Sequence, residues 1–294
     1  MIRFKAVRSL LFVPAHRESW VGRTPQYDAD AIILDLEDSV PAEQKGEARE
    51  VLRNWIPRLS EKGVRVFVRI NRWPDGYDAA DIEACVPRGC EGIVLPKVFG
   101  PEDVEAVSRL LDALEPKHRD RDRPVLLIPT LETARGLHFA YECALPERVT
   151  AVFGAVARNA DVSRSVGFQW TEEGLETLYL RSRVVLAVRA AGKLPLGGLW
   201  QKVHELDGLR ASAQANRRLG MTGEMILHPS NAAIVNEVYS PSADDVRYFE
   251  GMVEAYERAV ASGRASVMYD GEHIDAAHVQ TARGVLALAR SSKE

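Results

Sequence analysis

The chain has 294 residues, of which 46% are hydrophobic and 27% charged, and its formal net charge is −4. These are values of a globular protein with a full core, and no basic excess is present to neutralise the phosphates of a nucleic acid. The 3 cysteines show no Cys-x-x-Cys spacing and the N-terminal apolar stretch is short, so we expect reduced thiols in a cytoplasmic protein without a signal peptide or membrane partner.

Seven short apolar runs predict β-strands that are buried on both faces. They are rich in β-branched residues and occupy positions 10–14, 31–35, 66–69, 92–97, 125–129, 149–154 and 225–228. A weaker run at 194–200 supplies an eighth strand between the last two. Strands of this kind belong to parallel sheets that are covered by helices. The alternation predicts the α/β class and a (β/α)₈ TIM barrel over residues 1–239.

Segments with helical periodicity separate these strands. Helices are predicted over 42–55, from Pro101 onward, over 171–189 and over 207–219. Gly220 closes the last of them, because glycine readily adopts the backbone conformation that ends a helix.

Residues 240–294 are predicted to form an extension beyond the barrel. A capping box of Ser242 and Asp245 begins a helix that runs to about residue 262. A hairpin over 267–275 turns at Asp270-Gly271, and a final helix covers 276–289. Because no barrel needs this hairpin-plus-helix segment in order to close, we interpret it as a lid or an oligomer contact.

Polar and charged side chains follow six of the predicted strands, at the end where each strand stops. In a (β/α)₈ barrel the chemistry takes place at this carboxyl end, so the coincidence indicates an enzyme. His228, directly before Pro229, is interpreted as structural. The others are Asp35, Glu37, Arg69, Lys97, Glu132 and Asp161.

Glu132 and Asp161 follow two adjacent strands and are candidate metal ligands. Two carboxylates with room for water suit Mg²⁺, which keeps several waters and binds through one or two carboxylates plus substrate oxygens. The sequence offers no His pair or Cys cluster for zinc or iron. Alone, Glu132 would be read as an acid in the first turn of a helix, where the helix dipole favours it.

Three closely spaced acidic residues at the end of the second strand, Asp35, Glu37 and Asp38, need cationic partners. Arg69 and Lys97 are the nearest candidates, so a structural ion network and a catalytic role for Asp35 and Glu37 are equally good interpretations. A guanidinium suits a two-pronged contact with a substrate carboxylate, which makes Arg69 a candidate for substrate binding.

Eight strings follow one another in an order that spans nearly the whole chain: RSLLFVP at 8–14, ILDLEDSV at 33–40, VRIN at 68–71, LPKV at 95–98, ETARG at 132–136, LYLRS at 178–182, HPS at 228–230 and ID at 274–275. Together they resemble the citrate lyase β-subunit-like family of the HpcH/HpaI aldolase superfamily. The resemblance implies a Mg²⁺-dependent barrel that makes or breaks a carbon–carbon bond in a 3-hydroxyacyl-CoA thioester of the citryl, malyl or citramalyl type. The partners implied are an acyl-CoA and a small 2-oxoacid.

The resemblance also implies roles for single residues. Glu132 and Asp161 would hold the metal, and Arg69 would hold the oxoacid carboxylate. Asp275 would reach the site of a neighbouring subunit as acid/base, which implies a homo-oligomer, by resemblance a trimer. The candidate substrate-binding residues are then Arg69, Glu132, Arg17 and Lys97, and the candidate catalytic residues are Asp275, Asp35 and Glu37.

The chain departs from the family pattern at three places. Residues 155–160 lengthen the segment before Asp161, Ala15 stands where glycine is common, and strand seven ends in Gly197-Gly198 instead of an Ile-Asp pair. Two alternatives therefore stay open beside the lyase. One is a thioesterase of the malyl-CoA type, and the other is a catalytically silent relative or lyase subunit.

Overall fold

The computed structural model describes residues 7–86, 88–117, 124–154 and 156–291. Eight parallel strands, β1 to β8, lie in one sheet: Ser9–Pro14, Ala31–Asp35, Val66–Arg69, Cys90–Leu95, Leu126–Pro129, Ala151–Phe153, Leu194–Gly198 and Gly223–Ile226. Hydrogen-bonded neighbours follow the order β5-β4-β3-β2-β1-β8-β7-β6. The parallel bridges Leu127–Val149 and Thr130–Phe153 join the two ends of this order. The ring is thereby closed, and the predicted TIM barrel is confirmed.

Apolar side chains fill the interior of the barrel. Alternate residues of each strand point inward, because side chains along a strand change face at every residue. The outward-facing residues pack under helices, which explains why the strands are apolar on both faces. The buried interior cluster consists of Val7, Leu10, Ala31, Ile33, Phe67, Val94, Ile128, Ala151, Phe153, Leu196 and Met225.

Helices α1 to α12 follow the strands in the described part of the chain. Their bounds are Glu18–Val21, Lys45–Glu61, Ala79–Cys85, Pro101–Leu114, Ala134–His138, Ala140–Ala144, Asp161–Val166, Leu175–Ala190, Leu206–Leu219, Ala232–Tyr239, Ala243–Ala261 and Ala276–Ser291. None of them combines the length and the apolar character that a membrane span requires.

Two helices, α2 and α8, differ most from the sequence prediction. Helix α2 continues through Pro57 to Glu61, because Ile56 and Leu59 stay buried against their neighbours and outweigh the one backbone donor that proline lacks. Helix α8 begins at Leu175 and not at residue 171, since Gly174 has a left-handed backbone (φ 67°) that interrupts the helical path.

The chain divides into two compact units, residues 1–236 and 237–294. In the second unit the predicted capping box is present: Ser242 Oγ accepts from the Asp245 N–H at 3.0 Å, and Asp245 Oδ2 accepts from the Ser242 N–H at 2.9 Å. Strands β9 (Val267–Tyr269) and β10 (Glu272–Ile274) form the predicted antiparallel hairpin.

Candidate active site

Asp35 and Arg69 form the centre of a buried ion network at the carboxyl end of the barrel. They end β2 and β3, and the register of these strands places them side by side. Arg69 Nε donates to Asp35 Oδ1 at 2.6 Å and Nη2 donates to Oδ2 at 2.7 Å, while the Phe12 ring centroid lies 4.6 Å from the guanidinium carbon. Arg69 therefore makes the two-pronged contact with a carboxylate that is typical of arginine, and the carboxylate is that of Asp35. Nη1 is the guanidinium nitrogen that Asp35 does not contact.

Further donors saturate the Asp35 carboxylate. It accepts hydrogen bonds from the Glu37 N–H at 2.9 Å and from the Ser39 hydroxyl at 2.5 Å. Burial by itself raises the pKa of Asp35, but the charge and hydrogen bonds of Arg69, together with these donors, hold the pKa below its usual value. Asp35 is thus a permanently ionised anchor, and these contacts favour the structural interpretation of this residue.

Lys97 joins the acids after β2 to the segment after β6. Its Nζ lies 2.6 Å from Glu37 Oε1, 3.2 Å from Asp38 Oδ1 and 3.7 Å from Asp161 Oδ2. The other Glu37 oxygen, Oε2, lies 3.1 Å from Arg69 Nη1. Burial raises the pKa of Glu37 although both cations oppose this effect. Four strand ends thus contribute to one connected set of charges.

Local sequence explains how Glu132 is placed. It lies between β5 and α5, and the Thr133 hydroxyl begins α5 by accepting the Gly136 N–H at 2.9 Å while donating to the Val98 carbonyl at 3.0 Å. A Cβ at Gly136 would lie 2.2 Å from that same carbonyl oxygen, so only glycine lets α5 approach so closely. The threonine and glycine of ETARG therefore fix the position of Glu132.

The negative charge of the Glu132 carboxyl is only partly compensated by its surroundings. Desolvation raises its pKa from 4.5 to about 7, and the Glu37 charge adds to the rise, whereas Arg69, the Thr130 hydroxyl and Lys97 act against it. Within the described residues no cation forms an ion pair with Glu132, although part of the residue stays exposed. Its carboxylate form is therefore unfavourable unless a further positive charge arrives.

This pKa predicts a pH-dependent gain in stability for Glu132→Gln. A carboxyl whose folded-state pKa is raised favours folding below its unfolded-state pKa, and the contribution is lost as the pH rises through about 7. At pH 8, without divalent cations, we expect the free energy of unfolding of the variant to exceed that of the parent by roughly 1–3 kcal/mol, and the difference to shrink towards pH 4.5. Urea unfolding at several pH values measures it.

The control for this prediction is Glu105→Gln on the exposed face of α4, which leaves the burial of Glu132 unchanged. An equal gain at every pH, or the same gain in the control, would contradict the raised pKa of Glu132.

Glu132 and Asp161 carry the oxygen donors that a hard divalent cation prefers. Asp161 begins α7, where it pairs with Arg164, and Lys97 acts electrostatically on both Asp161 and Glu132. The Ala134 N–H donates to Ser165 Oγ at 2.9 Å and so links α7 to the start of α5. Among the residues that the structure describes, no group of three or more His, Cys, Asp or Glu could hold a metal ion. Two carboxylates completed by water and substrate oxygens suit Mg²⁺ but not a closed zinc site.

Two further predicted site residues are Arg17 and Asp275. Arg17 directly precedes α1 with an exposed side chain. Asp275 belongs to the second unit, where its carboxylate accepts the Ala277 N–H at 3.0 Å and contacts His278 Nδ1 at 2.7 Å. These contacts, His278 first among them, lower the pKa of Asp275. In the isolated chain Asp275 is the cap of α12.

Some residues of the site were not found by sequence reasoning. Ser39 and Phe12 lie within the recognised strings, but nothing in their spacing shows that they contact Asp35 and Arg69. At the end of β7, where the sequence lacks an Ile-Asp pair, Trp200 is nearly buried and its ring centroid lies 6.3 Å from that of Trp170. An aromatic pair thus borders this part of the barrel mouth.

Comparison with known proteins decides the family. The model of the HpcH/HpaI aldolase/citrate lyase family matches residues 8–229, three quarters of the chain. The chain belongs to this family. It is 30% identical over 284 residues to a (3S)-malyl-CoA thioesterase from Cereibacter sphaeroides. The matched region covers 97% of this chain and 95% of that protein. It is 28% identical to the mitochondrial citramalyl-CoA lyase of Rattus norvegicus, with 98% of the chain and 87% of that protein covered.

Solved structures of the HpcH/HpaI family agree with the fold described above. Protein CitE from Mycobacterium tuberculosis, crystallised with magnesium, acetoacetate and coenzyme A, has a TM-score of 0.77 and 25% identity. It covers 97% of this chain and is itself covered to 98%. The predicted resemblance to the citrate lyase β-like family is confirmed.

Proposed function

We propose that this chain is a Mg²⁺-dependent carbon–carbon lyase that splits a 3-hydroxyacyl-CoA thioester of the citryl, malyl or citramalyl type into an acetyl-type thioester and a 2-oxoacid. The predicted lyase class is confirmed at family level by the citramalyl-CoA lyase and citrate lyase β-like relatives. The observation that supports the finer proposal is the presence of two groups at the carboxyl end of the barrel. One is the Glu132 carboxyl, whose pKa is raised because its negative charge is only partly compensated, and the other is the Arg69 guanidinium, which Asp35 holds in place.

Arg69 is proposed to orient the oxoacid portion of the substrate. Asp35 holds the guanidinium from one side, so its position does not depend on ligand. Nη1 lies 3.1 Å from Glu37 Oε2 and is the nitrogen that Asp35 does not contact, so a substrate carboxylate is proposed to bind beside Glu37 at this nitrogen. A group already fixed in place loses little entropy on binding. Lys97 and Glu37 border the same region and are proposed to contact the substrate's polar atoms.

Glu132 and Asp161 are proposed to hold Mg²⁺, which is crystallised with the CitE relative. When bound, the ion supplies charge stabilisation for the hydroxyl and carboxylate oxygens of the substrate. Its double positive charge also compensates the negative charge of the Glu132 carboxylate.

Asp275 of a neighbouring copy is proposed to handle the proton at carbon, within a trimer. In the condensation direction its carboxylate takes a proton from the acetyl methyl group, and the electron pair left on that carbon forms the new bond to the carbonyl carbon of the oxoacid. The carbonyl oxygen of the oxoacid takes a proton from water and becomes the hydroxyl group. In cleavage that hydroxyl gives its proton to water, and its oxygen forms the carbonyl again as the carbon–carbon bond breaks. The electron pair of the broken bond stays with the acetyl unit as the thioester enolate, and the carboxyl form of Asp275 returns a proton to the carbon. The lowered pKa of Asp275 keeps it ionised at neutral pH, as the condensation direction requires.

A thioesterase is the second candidate function. The relative named (3S)-malyl-CoA thioesterase shares 30% identity over almost the whole chain, so the same site suits hydrolysis of a thioester. A catalytically silent relative is the third.

A screen of malyl-, citramalyl- and citryl-CoA with Mg²⁺, in which free thiol and 2-oxoacid are measured together, separates these functions. The lyase releases a 2-oxoacid without free thiol, and this is the expected result. Free thiol without oxoacid would establish the thioesterase, and neither product would establish the silent relative.

Replacing Arg69 by lysine is expected to weaken pyruvate or glyoxylate binding roughly 10- to 100-fold, the equivalent of one charge-assisted hydrogen bond. Lysine keeps the charge but replaces the planar two-pronged guanidinium by a single nitrogen, so it cannot bond both Asp35 oxygens and still present arginine's geometry to a substrate carboxylate. Isothermal titration measures the affinity, and Arg109→Lys on the exposed face of α4 is the matched control. Parent-like affinity in Arg69→Lys would rule out Arg69 as the carboxylate ligand.

A further inference from the structure

Lys45, the first residue of α2, lies behind the charged site and makes three hydrogen bonds to the segments that carry it. Its Nζ donates to the carbonyl oxygens of Leu36 at 2.8 Å and Glu37 at 3.1 Å, and to Asn71 Oδ1 at 2.5 Å. An ammonium group has three donors, so this side chain is fully used. Two of its acceptors follow β2 and the third follows β3.

Further hydrogen bonds hold Asn71, the side chain that accepts the third hydrogen bond from Lys45. The Asn71 N–H and Nδ2 both donate to Asp81 Oδ2, at 2.8 and 2.7 Å. Asp81 is fully buried, and its other oxygen accepts from Arg49 Nη1 at 2.9 Å. Since Lys45 and Arg49 are four residues apart on α2, one helix face holds both ends of this chain of hydrogen bonds.

From these contacts we propose that Lys45 is a positioning residue that sets the distance between Glu37 and Arg69. The last backbone hydrogen bond from β2 to β3 runs from the Leu36 N–H to the Arg69 carbonyl at 2.9 Å, and the carbonyls of Leu36 and Glu37 lie just beyond it. Backbone direction at Glu37 decides where its carboxyl meets Arg69 Nη1, at 3.1 Å, and Lys97 Nζ, at 2.6 Å. The positive charge of Lys45 also offsets the acids that follow β2.

The effect on turnover rests on the proposed function, whereas the effect on the backbone does not. We therefore expect two separate results from Lys45→Met, which removes the three donors at similar volume. Amide hydrogen exchange is expected to accelerate by about tenfold or more in residues 36–40 and 69–73 only. Turnover of the thioester found in the screen is expected to fall about 10- to 100-fold, because a small misplacement of catalytic groups is costly.

Lys62→Met is the matched control, since Lys62 is an exposed residue at the other end of α2. It is expected to leave both exchange and turnover unchanged. Lys45→Cys, alkylated to the aminoethyl thioether, restores an ammonium at the same distance and is expected to recover both. If Lys45→Met does not fold, the comparison of Lys45→Cys before and after alkylation replaces it.

Parent-like exchange in both segments, or acceleration spread evenly over the chain, would overturn the positioning role. Changed exchange together with unchanged turnover in an active enzyme would overturn it as well. A parent protein that cleaves no thioester would contradict the proposed function alone, because the exchange comparison still decides the role of Lys45.

Discussion

The Asp275→Asn variant is expected to lose turnover by about 10²- to 10⁴-fold, the usual contribution of a general acid/base. Asparagine keeps an oxygen that can accept the Ala277 N–H, which Asp275 accepts at 3.0 Å, so the cap of α12 survives. A residue that only capped the helix would therefore show almost no effect. Steady-state turnover and thermal unfolding of the variant, measured side by side, separate the two roles.

Shared sites give this prediction a second test. Asp275→Asn and Glu132→Ala protomers are each expected to be inactive alone. If Asp275 serves a neighbouring copy, random mixing restores up to roughly a quarter of the sites, because one barrel then meets an intact acid from the other variant. A monomer in solution, full turnover in Asp275→Asn, or no recovery in the mixture would each contradict the shared site.

Alanine at Glu132 or Asp161 is expected to abolish the stabilisation that Mg²⁺ gives in the presence of a 2-oxoacid. For the parent protein this stabilisation is about 2.7 kcal/mol when the ligand is at 100 times its dissociation constant. Either variant removes one of the two proposed protein ligands and with it half of the negative charge that they offer the ion. Thermal unfolding with and without MgCl₂ and pyruvate measures the loss.

Glu105→Ala on α4 is the control, because it removes an exposed carboxylate that pairs with Arg109 on the same helix. It is expected to keep the full Mg²⁺-dependent shift. If both site variants also keep it, the metal is held elsewhere.

The sequence by itself determined the barrel and the end at which its site lies. Strands such as β2 are apolar at every position before the last, which a parallel sheet covered by helices accommodates, and the charged residues stand where these apolar runs stop. The capping box at Ser242 and the hairpin at Asp270-Gly271 were also predicted, because both depend on residues that are neighbours in sequence. Helix starts such as Leu175 were missed, since the backbone conformation of Gly174 decided them.

Only the tertiary structure decided how the charges of the site are paired. Asp35 and Arg69 are 34 residues apart in sequence. Their two-pronged contact depends on the register of β2 and β3. The same holds for Lys97, which contacts Glu37 across 60 residues, and for the pKa of Glu132, which depends on burial. The periodicity and spacing of residues in the sequence predict local secondary structure. Hydrogen bonds and desolvation between distant segments exist only after those segments have packed together.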